Sequence, residues 1–281
     1  MTQSHGRRFS VSSWSLHRTL GRPQFYGSAD GLRIPTATHN RGALTLLELP
    51  TRLAAFGIHT VEICHFHLPS LDASYLGELR ASLQAAQVEL FSFLIDDGDI
   101  THPTTAERDM AWIEQWIEIA GQLGAQRTRV IAGKTGPSPE ALSLSAQRLQ
   151  RLTTVAQAQG IRLMTENWFN TLSTPATIHA LFEQLAGQIG LCLDFGNWDG
   201  RGPRKYSDLR AIATYAESCH TKAHFHDDGA MDRDDYIQCL EITRAAHFNG
   251  PYTLIYSGPD NDEWAGLKQE MEVVQPYLAA L

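Results

Sequence analysis

The stretch SCHTKAHFHDDG, at positions 218–229, places a nitrogen-bearing side chain at every second residue: His220, Lys222, His224 and His226. Successive side chains of a β-strand point to opposite faces, so this spacing would put all four groups on one face. HDDG, at 226–229, has the composition of a turn, and a solvated loop explains His224 and His226 equally well. The pattern therefore predicts that at least His220 and Lys222 share the functional face of a strand.

Two carboxylates stand at the ends of apolar segments that precede this stretch. Glu166 lies at the end of IRLMTEN, and Asp194 lies at the end of IGLCLDF. A lone acid at such a position can cap the next helix. Two acids and the imidazole of His220 on three consecutive strands fit a metal site better, because this ligand set suits Mn²⁺, Mg²⁺, Co²⁺ or Zn²⁺. We therefore predict Glu166, Asp194 and His220 as the ligands of one divalent metal.

The elements that must position these residues recur as short apolar runs, each followed by a segment with helical spacing. The predicted strands are FSVSSW (9–14), HTVEIC (59–64), VELFSFLI (88–95), RTRVIA (127–132), IRLMTEN (161–167), IGLCLDF (189–195), SCHTKAHF (218–225) and YTLIYS (252–257). Eight such cycles within 281 residues predict an α/β fold, a TIM (β/α)8 barrel forming a single domain over 1–281. A doubly wound open sheet is the alternative, although no G-x-G-x-x-G follows the first strand.

Composition argues against several classes of partner. The net charge of −8 gives a surface that repels phosphate backbones, so no nucleic acid is expected. No apolar run reaches the length of a signal peptide or a transmembrane helix, so no membrane partner is expected. The four cysteines, which form no C-x-x-C pair, predict buried, reduced thiols in a cytoplasmic protein and no cysteine-based zinc site: Cys64, Cys192, Cys219 and Cys239.

Taken in order, several motifs resemble those of the xylose-isomerase-like TIM barrels. That superfamily includes sugar-phosphate isomerases and epimerases, inosose dehydratases and, more distantly, endonuclease IV. The resemblance runs through most of the chain, in SVSSWSLHR, GIHTVEI, WIEIAGQLGAQRTRVIAG, GIRLMTENW, GLCLDFGNW, CHTKA and DDYIQCLEITRAAHFNGPYTLIYSG. It implies Glu166, Asp194 and His220 as metal ligands and a small carbohydrate or polyol as the substrate. Many barrels of this type dimerise, so a homodimer is an open expectation.

The chain departs from the family pattern at the last strand. The family's fourth ligand is a glutamate in a context like G-Y-x-x-I-E-Y-E-G, whereas GPYTLIYSG places Ile255 at that glutamate and Ser257 at the next acid. In the family's epimerases, the glutamates of the fifth and eighth strands also shuttle protons. The resemblance therefore does not carry a two-base mechanism to this chain. Asn197 is a further departure, because a histidine often follows the strand-6 aspartate by three residues.

A metal held by two carboxylates and one imidazole keeps open positions for substrate oxygens. A nearby base would then drive enolisation, isomerisation or β-elimination. We predict Glu166, Lys222 and His226 as catalytic residues, with His65 and His67 as further candidates for the base.

Other roles stay open for some of these groups. Lys134 or Lys222 would alternatively stabilise an enediolate or bind an anion. His224 or His226 would replace the missing ligand if the loop after strand 7 folds back. The predicted substrate-binding residues lie beside the polar strand ends: Trp14, His17, His65, His67, Lys134, Asn167, Trp168, Asn197 and Tyr256.

The leading prediction is a divalent-metal-dependent isomerase, epimerase or related lyase acting on a sugar, sugar acid or polyol. The acidic segment YSGPDNDEW after the last strand offers no evident phosphate site, which favours a non-phosphorylated substrate. The alternative is a catalytically degenerate barrel that binds a sugar or a partner subunit, since Ile255 replaces a carboxylate. An endonuclease IV-like nuclease is disfavoured, because it would need more metal ligands and a positive DNA-facing surface.

Overall fold

Eight parallel strands close into a barrel in the computed structural model, which describes residues 6–21, 25–34, 42–198 and 202–279. Each strand pairs with the next along the chain, and the last strand pairs with the first through Phe9 and Tyr252. The strands are β1 Arg8–Ser12, β2 Thr60–Cys64, β3 Glu89–Leu94, β4 Arg127–Arg129, β5 Arg162–Glu166, β6 Gly190–Asp194, β7 Ala216–Thr221 and β8 Pro251–Leu254. The predicted TIM barrel is confirmed, and closure excludes the open sheet.

Helices follow the strands and cover the outside of the barrel. They are α1 Leu49–Phe56, α2 Ala73–Ala85, α3 Ala106–Leu123, α4 Pro139–Ala158, α5 Pro175–Leu185, α6 Pro203–Ile212, α7 Arg233–Ala245 and α8 Glu263–Val274. None of the helices in the described ranges is long and apolar enough to cross a membrane.

Helix α3 shows how local sequence forms these elements. Met110, Ile113 and Ile117 recur at helical spacing and are fully buried against the barrel. The helix ends at Gly124, whose φ of 80° is a left-handed conformation that glycine adopts without steric cost. Trp116 is buried beside these residues, as its spacing on the helix predicts.

Glu270 in α8 is a carboxyl group without solvent exposure. Burial raises the pKa of Glu270 well above its ordinary value, and the backbone N–H of Ala223 does not offset this effect. The side chain is therefore a protonated acid that packs between α8 and the barrel.

We expect Glu270→Gln to make the protein more stable at neutral pH. Unfolding exposes the carboxyl group, whose pKa then returns to about 4.3. The wild-type free energy of unfolding is thus highest below that pH and falls as the pH rises toward the folded-state pKa. Relative to the variant, the wild-type free energy of unfolding falls by at most about 1.4 kcal/mol for each unit by which the pH rises. Urea unfolding at about pH 5 and about pH 8 measures this difference in the free energy of unfolding.

Glu272→Gln, on the exposed side of α8, is the control. If the free energy of unfolding of the wild type and of Glu270→Gln changed with pH in parallel, the prediction would be contradicted.

Candidate functional site

A cavity of about 520 Å³ lies at the carboxyl ends of the strands. All eight strands contribute to it within one residue of their carboxyl ends, through Ser12, Cys64, Leu94, Arg129, Glu166, Asp194, His220 and Ile255. A larger cavity of about 750 Å³ lies at the opposite end, around Arg8, Thr60 and Glu89. TIM-barrel chemistry takes place at the carboxyl ends of the strands. The smaller cavity is therefore the candidate site.

His220 lies at the centre of the polar groups in this cavity. Its Nε2 is 2.7 Å from Oε2 of Glu62, a fully buried carboxylate on β2 whose other oxygen accepts a hydrogen bond from Thr253. With Nε2 bonded to Glu62, Nδ1 is the ring nitrogen that faces the cavity. Nδ1 lies 3.5 Å from Oε1 of Glu166 and 3.7 Å from Oδ2 of Asp194. The three predicted ligands therefore converge in the fold.

The carboxylate of Glu166 is held from two sides. Asn197 donates a 2.6 Å hydrogen bond to Oε1, and the guanidinium of Arg129 lies 3.0 Å from Oε2. Burial alone would raise the pKa of Glu166, but the charges of Arg129 and His220 outweigh it and lower this pKa to about 2. Glu166 is thus an ionised carboxylate at neutral pH, at the end of β5.

Asp194 is buried at the end of β6, where Gly196 N–H donates to Oδ1 at 2.6 Å. Burial and the neighbouring charge of Glu166 raise the pKa of Asp194. Asn167 fixes the backbone at this point, since its amide both donates to the Asp194 carbonyl and accepts from the Asp194 N–H. The predicted substrate-binding residue Asn167 therefore braces β6 from beneath the site.

Arg129 is the cation that balances these acids. It ends β4, is 3% exposed, and reaches Oδ1 of Asp96 at 2.5 Å while its Nε faces Glu166. Its guanidinium also lies 5.3 Å from the centre of the Trp168 ring. One buried arginine thus joins the ends of β3 and β5 across β4.

The donor set fits a divalent cation. Two atoms that each lie about 2.0–2.2 Å from one ion are at most about 4.4 Å apart. Both separations from His220 Nδ1, 3.5 Å and 3.7 Å, satisfy this limit. Among the described residues, the donor atoms that all lie within 4.8 Å of one another belong to Glu166, His220 and Cys192, and Asp194 is not one of that group. The fourth position of the family's ligand set is occupied by Ile255, which lines the cavity and has no donor atom. Glu166, Asp194 and His220 would hold the ion, with room for substrate oxygens on the cavity side.

Lys222 and the two later histidines have different surroundings after the end of β7. The strand ends at Thr221, and Lys222 lines the cavity with no carboxylate within 4.0 Å in the described chain. His224 and His226 lie in the following loop, where their backbones bond to Asp232 and Ala230. His226 is exposed and is not among the described residues that line the cavity. The strand alternation suggested by sequence therefore holds only as far as Lys222.

The histidines after β1 and β2 have mainly structural contacts. His65 is buried in the cavity wall, with Nε2 bonded to the Tyr26 carbonyl and Nδ1 accepting from the Asp96 N–H. Burial lowers the pKa of His65, so the ring is neutral. His67 bonds Ser13 and faces a separate cavity, whereas His17 packs edge-on against Trp14.

The remaining predicted residues fall into two groups. Trp14, Trp168 and Asn197 line the cavity. Lys134 forms a 2.5 Å ion pair with Asp97 and does not belong to the described cavity wall. Tyr256 is buried away from the cavity, against Phe225.

The sequence patterns did not predict four residues at the site: Phe25, Asp96 and Arg129, which line the cavity, and Glu62, which bonds His220. A signal for Arg129 exists, because an arginine at the last position of a buried strand must find partners inside the barrel. Phe25, 57% exposed, stacks on Trp14 with ring centres 5.6 Å apart and extends an aromatic wall of the cavity.

Cys192 is a further group that lies below the cavity. Its sulfur and ligand atoms of Glu166 and His220 all lie within 4.8 Å of one another. The residue is fully buried, and burial raises the pKa of its thiol to about 11.

Comparisons with known proteins agree with the barrel fold. The family model described as "Xylose isomerase-like TIM barrel" matches residues 50–275. L-ribulose 3-epimerase shares 18% identity at a TM-score of 0.70, with 97% of this chain and 94% of that chain covered. D-psicose 3-epimerase from Clostridium cellulolyticum H10, solved with D-tagatose, shares 12% sequence identity at a TM-score of 0.69. The match covers 98% of this chain and 100% of that chain. A xylose isomerase-like TIM barrel protein from Mycobacterium smegmatis, in complex with magnesium, shares 18% sequence identity at a TM-score of 0.62. The match covers 91% of this chain and 100% of that chain. No curated protein matches the chain.

Proposed function

Because the chain belongs to the xylose isomerase-like TIM barrel family, we propose that it is a divalent-metal-dependent isomerase or epimerase of a carbohydrate or polyol. The observation that carries the proposal is the approach of the Glu166 and Asp194 carboxylates to Nδ1 of His220, at 3.5 Å and 3.7 Å, with the ring oriented by the contact of Nε2 with Glu62. The epimerases among the similar structures support the same class of reaction. Homodimerisation and a cytoplasmic location remain expectations from sequence.

Each chain residue has a defined task in this reaction. When bound, the metal would polarise a carbonyl or hydroxyl group of the substrate and so acidify the adjacent C–H bond. Lys222 lines the same cavity, and no carboxylate of the described residues lies within 4.0 Å of its ammonium group, although its charge acts on Asp194. It would stabilise negative charge on a substrate oxygen or carry the proton. Trp14 and Trp168 offer aromatic faces for the C–H face of a sugar and exclude water.

The charge of the cavity favours an uncharged substrate. Its wall contains five carboxylates, Asp30, Asp96, Asp97, Glu166 and Asp194, against the cations of Arg129 and Lys222 and the imidazoles of His65 and His220. The ion pair of Lys134 with Asp97 removes another cation that a phosphate would need. We therefore propose a neutral, non-phosphorylated sugar or polyol.

Exchange of carbon-bound hydrogen with solvent is the test. The metal-free protein is supplied in turn with Mn²⁺, Co²⁺, Zn²⁺ and Mg²⁺, and each form is incubated in D₂O with ketohexoses, ketopentoses and inososes. Deuterium on a carbon next to the carbonyl, or a new isomer, supports the proposal. Metal binding without exchange in any of these compounds would count against it.

A second candidate is a barrel that binds a carbohydrate without turnover. Ile255, 5% exposed in the cavity wall, favours this reading, because no carboxylate stands at the position where the family's epimerases place their second proton carrier. Ligand-induced thermal stabilisation by a sugar that undergoes no exchange would support it.

Lys222→Met should reduce kcat/KM about 10²- to 10³-fold, because a fixed cation beside the reacting oxygen is removed. Metal affinity should change little, since the ammonium is not a ligand. Calorimetric titration with Mn²⁺ and the exchange assay measure the two effects. Lys134→Met is the matched control, because the Lys134 ammonium pairs with Asp97 outside the described cavity wall and its loss should leave exchange nearly unchanged. Equal losses in both variants would argue against a direct role for Lys222.

A further inference from the structure

We propose that Cys192 supplies a sulfur ligand to the cation held by Glu166, Asp194 and His220, so that the site selects Zn²⁺ or Co²⁺ over Mg²⁺ and Mn²⁺. This inference rests on the proposed function in one respect only, namely that a divalent metal binds at these residues.

The position of Cys192 follows from the alternation of β6. Cys192 precedes Asp194 by two residues on the same strand, so both side chains point into the barrel. Asp194 lines the cavity, and Cys192 lies one layer deeper with no solvent exposure. Its sulfur and one ligand atom each of Glu166 and His220 all lie within 4.8 Å of one another. Sulfur and nitrogen on one zinc ion, at about 2.3 and 2.0–2.1 Å, are separated by at most about 4.4 Å. The 4.8 Å that bounds the three ligand atoms lies close to this separation.

The missing carboxylate of β8 explains why a fourth donor matters. Ile255 cannot coordinate, and three donors leave a cation under-coordinated on the inner side of the cavity. Cys192 approaches from beneath, opposite the opening, so the cavity side stays free for substrate oxygens. Sulfur is a soft ligand that favours zinc and cobalt, whereas an oxygen in its place would favour magnesium or manganese.

A bound divalent ion would supply the positive charge that a thiolate needs at this place. Coordination breaks the S–H bond of Cys192, forms a sulfur–metal bond and releases one proton to water, without oxidation or reduction. The added negative charge lies beside a divalent ion, and the guanidinium of Arg129, 3.0 Å from Glu166, offsets one of the carboxylates. Phe91 and Met164 pack around the sulfur on its other side and shield it from water.

Cobalt spectroscopy tests the sulfur ligand directly. Metal-free protein, kept reduced and free of oxygen, is titrated with Co²⁺ alone. A thiolate ligand produces a near-ultraviolet sulfur-to-cobalt charge-transfer band, whereas carboxylate and imidazole ligands do not. We expect the band in the wild type and in Cys64→Ser, whose thiol lines the same cavity outside the cluster, and its loss in Cys192→Ser. Zn²⁺ affinity, measured by competition with a chromophoric chelator, should fall at least roughly tenfold in Cys192→Ser.

The outcomes separate this inference from the proposed function. Wild-type protein that binds Co²⁺ without the band, or a Cys192→Ser protein that keeps it, overturns the sulfur ligand and leaves the metal-dependent function standing. Wild-type protein that binds no Co²⁺ overturns both. Should Cys192→Ser fail to fold, Cys192→Ala replaces it, and the wild-type spectrum alone still decides whether sulfur is coordinated.

Discussion

Asp194→Asn should reduce divalent-metal affinity at least roughly tenfold and lower the exchange rate about 10²- to 10³-fold even at saturating metal. The amide has the shape of the carboxylate but no charge, so the oxygen 3.7 Å from His220 Nδ1 becomes a weak ligand. The backbone bonds of Asn167 to residue 194 do not involve the side chain, so the variant should fold normally. Calorimetric titration with Mn²⁺ and Zn²⁺, followed by the deuterium-exchange assay, measures both effects.

Asp97→Asn provides the matched control for Asp194→Asn. Asp97 lines the same cavity, but its carboxylate pairs with Lys134 and accepts from the Ser28 N–H. Its loss should leave metal affinity within about threefold of the wild type. An Asp194→Asn protein with wild-type metal affinity would show that Asp194 is not a ligand, and the proposed donor set would then be wrong.

Arg129→Met should lower the free energy of unfolding by about 3–5 kcal/mol, because it leaves the buried carboxylates of Asp96 and Glu166 without their counter-charge. Methionine fills part of the volume of the arginine stem, so lost packing contributes little. Urea unfolding at neutral pH measures the change. Arg127→Met, two residues earlier on the same strand, removes a quarter-exposed pair with Glu217 and should cost at most about 1 kcal/mol. Similar losses in the two variants would contradict the prediction.

The same variant should change how stability depends on acid. In the wild type, the pKa of Glu166 is lowered to about 2, below the unfolded value of about 4.3. This group therefore contributes stability that is present above about pH 4.3 and lost as the pH falls toward about 2. Arg129→Met removes a main cause of the lowered pKa, so its acid transition should be flatter in that window. Metal added at neutral pH should partly restore stability to the variant, because the ion supplies the missing positive charge.

Much of the fold could be read from sequence because its signals are local. Apolar runs of strand length, helical spacing such as that of Met110, Ile113 and Ile117, and glycine at the end of α3 each act within a few residues. The predicted strands lie where the structure has them, although several end earlier at the carboxyl side. β1 ends at Ser12 because Ser13–Leu16 turns into a 3₁₀ helix, and β7 ends at Thr221 because the following loop bonds to itself.

Part of the site was also within reach of sequence. Glu166 and Asp194 end their strands, His220 is the last residue but one of the next strand, and parallel strands of a barrel bring their carboxyl ends to one face. Their residue types and the regular topology are enough to place them near one another. Lys222, two positions beyond His220, follows by the same rule.

Only the tertiary structure decided which of these groups form hydrogen bonds or ion pairs, and with which partners. Glu62 is 158 positions from His220 in the chain, yet it bonds Nε2 of that ring, and Arg129 joins Asp96 to Glu166 across a strand. Sequence by itself determined the barrel, because backbone periodicity repeats locally, and the three converging ligands, because strand order fixes where strand ends meet. It did not determine the neutral His65, the paired Lys134 or the closeness of the Cys192 thiol to Glu166 and His220. Those depend on side-chain distances between strands, which no local pattern encodes.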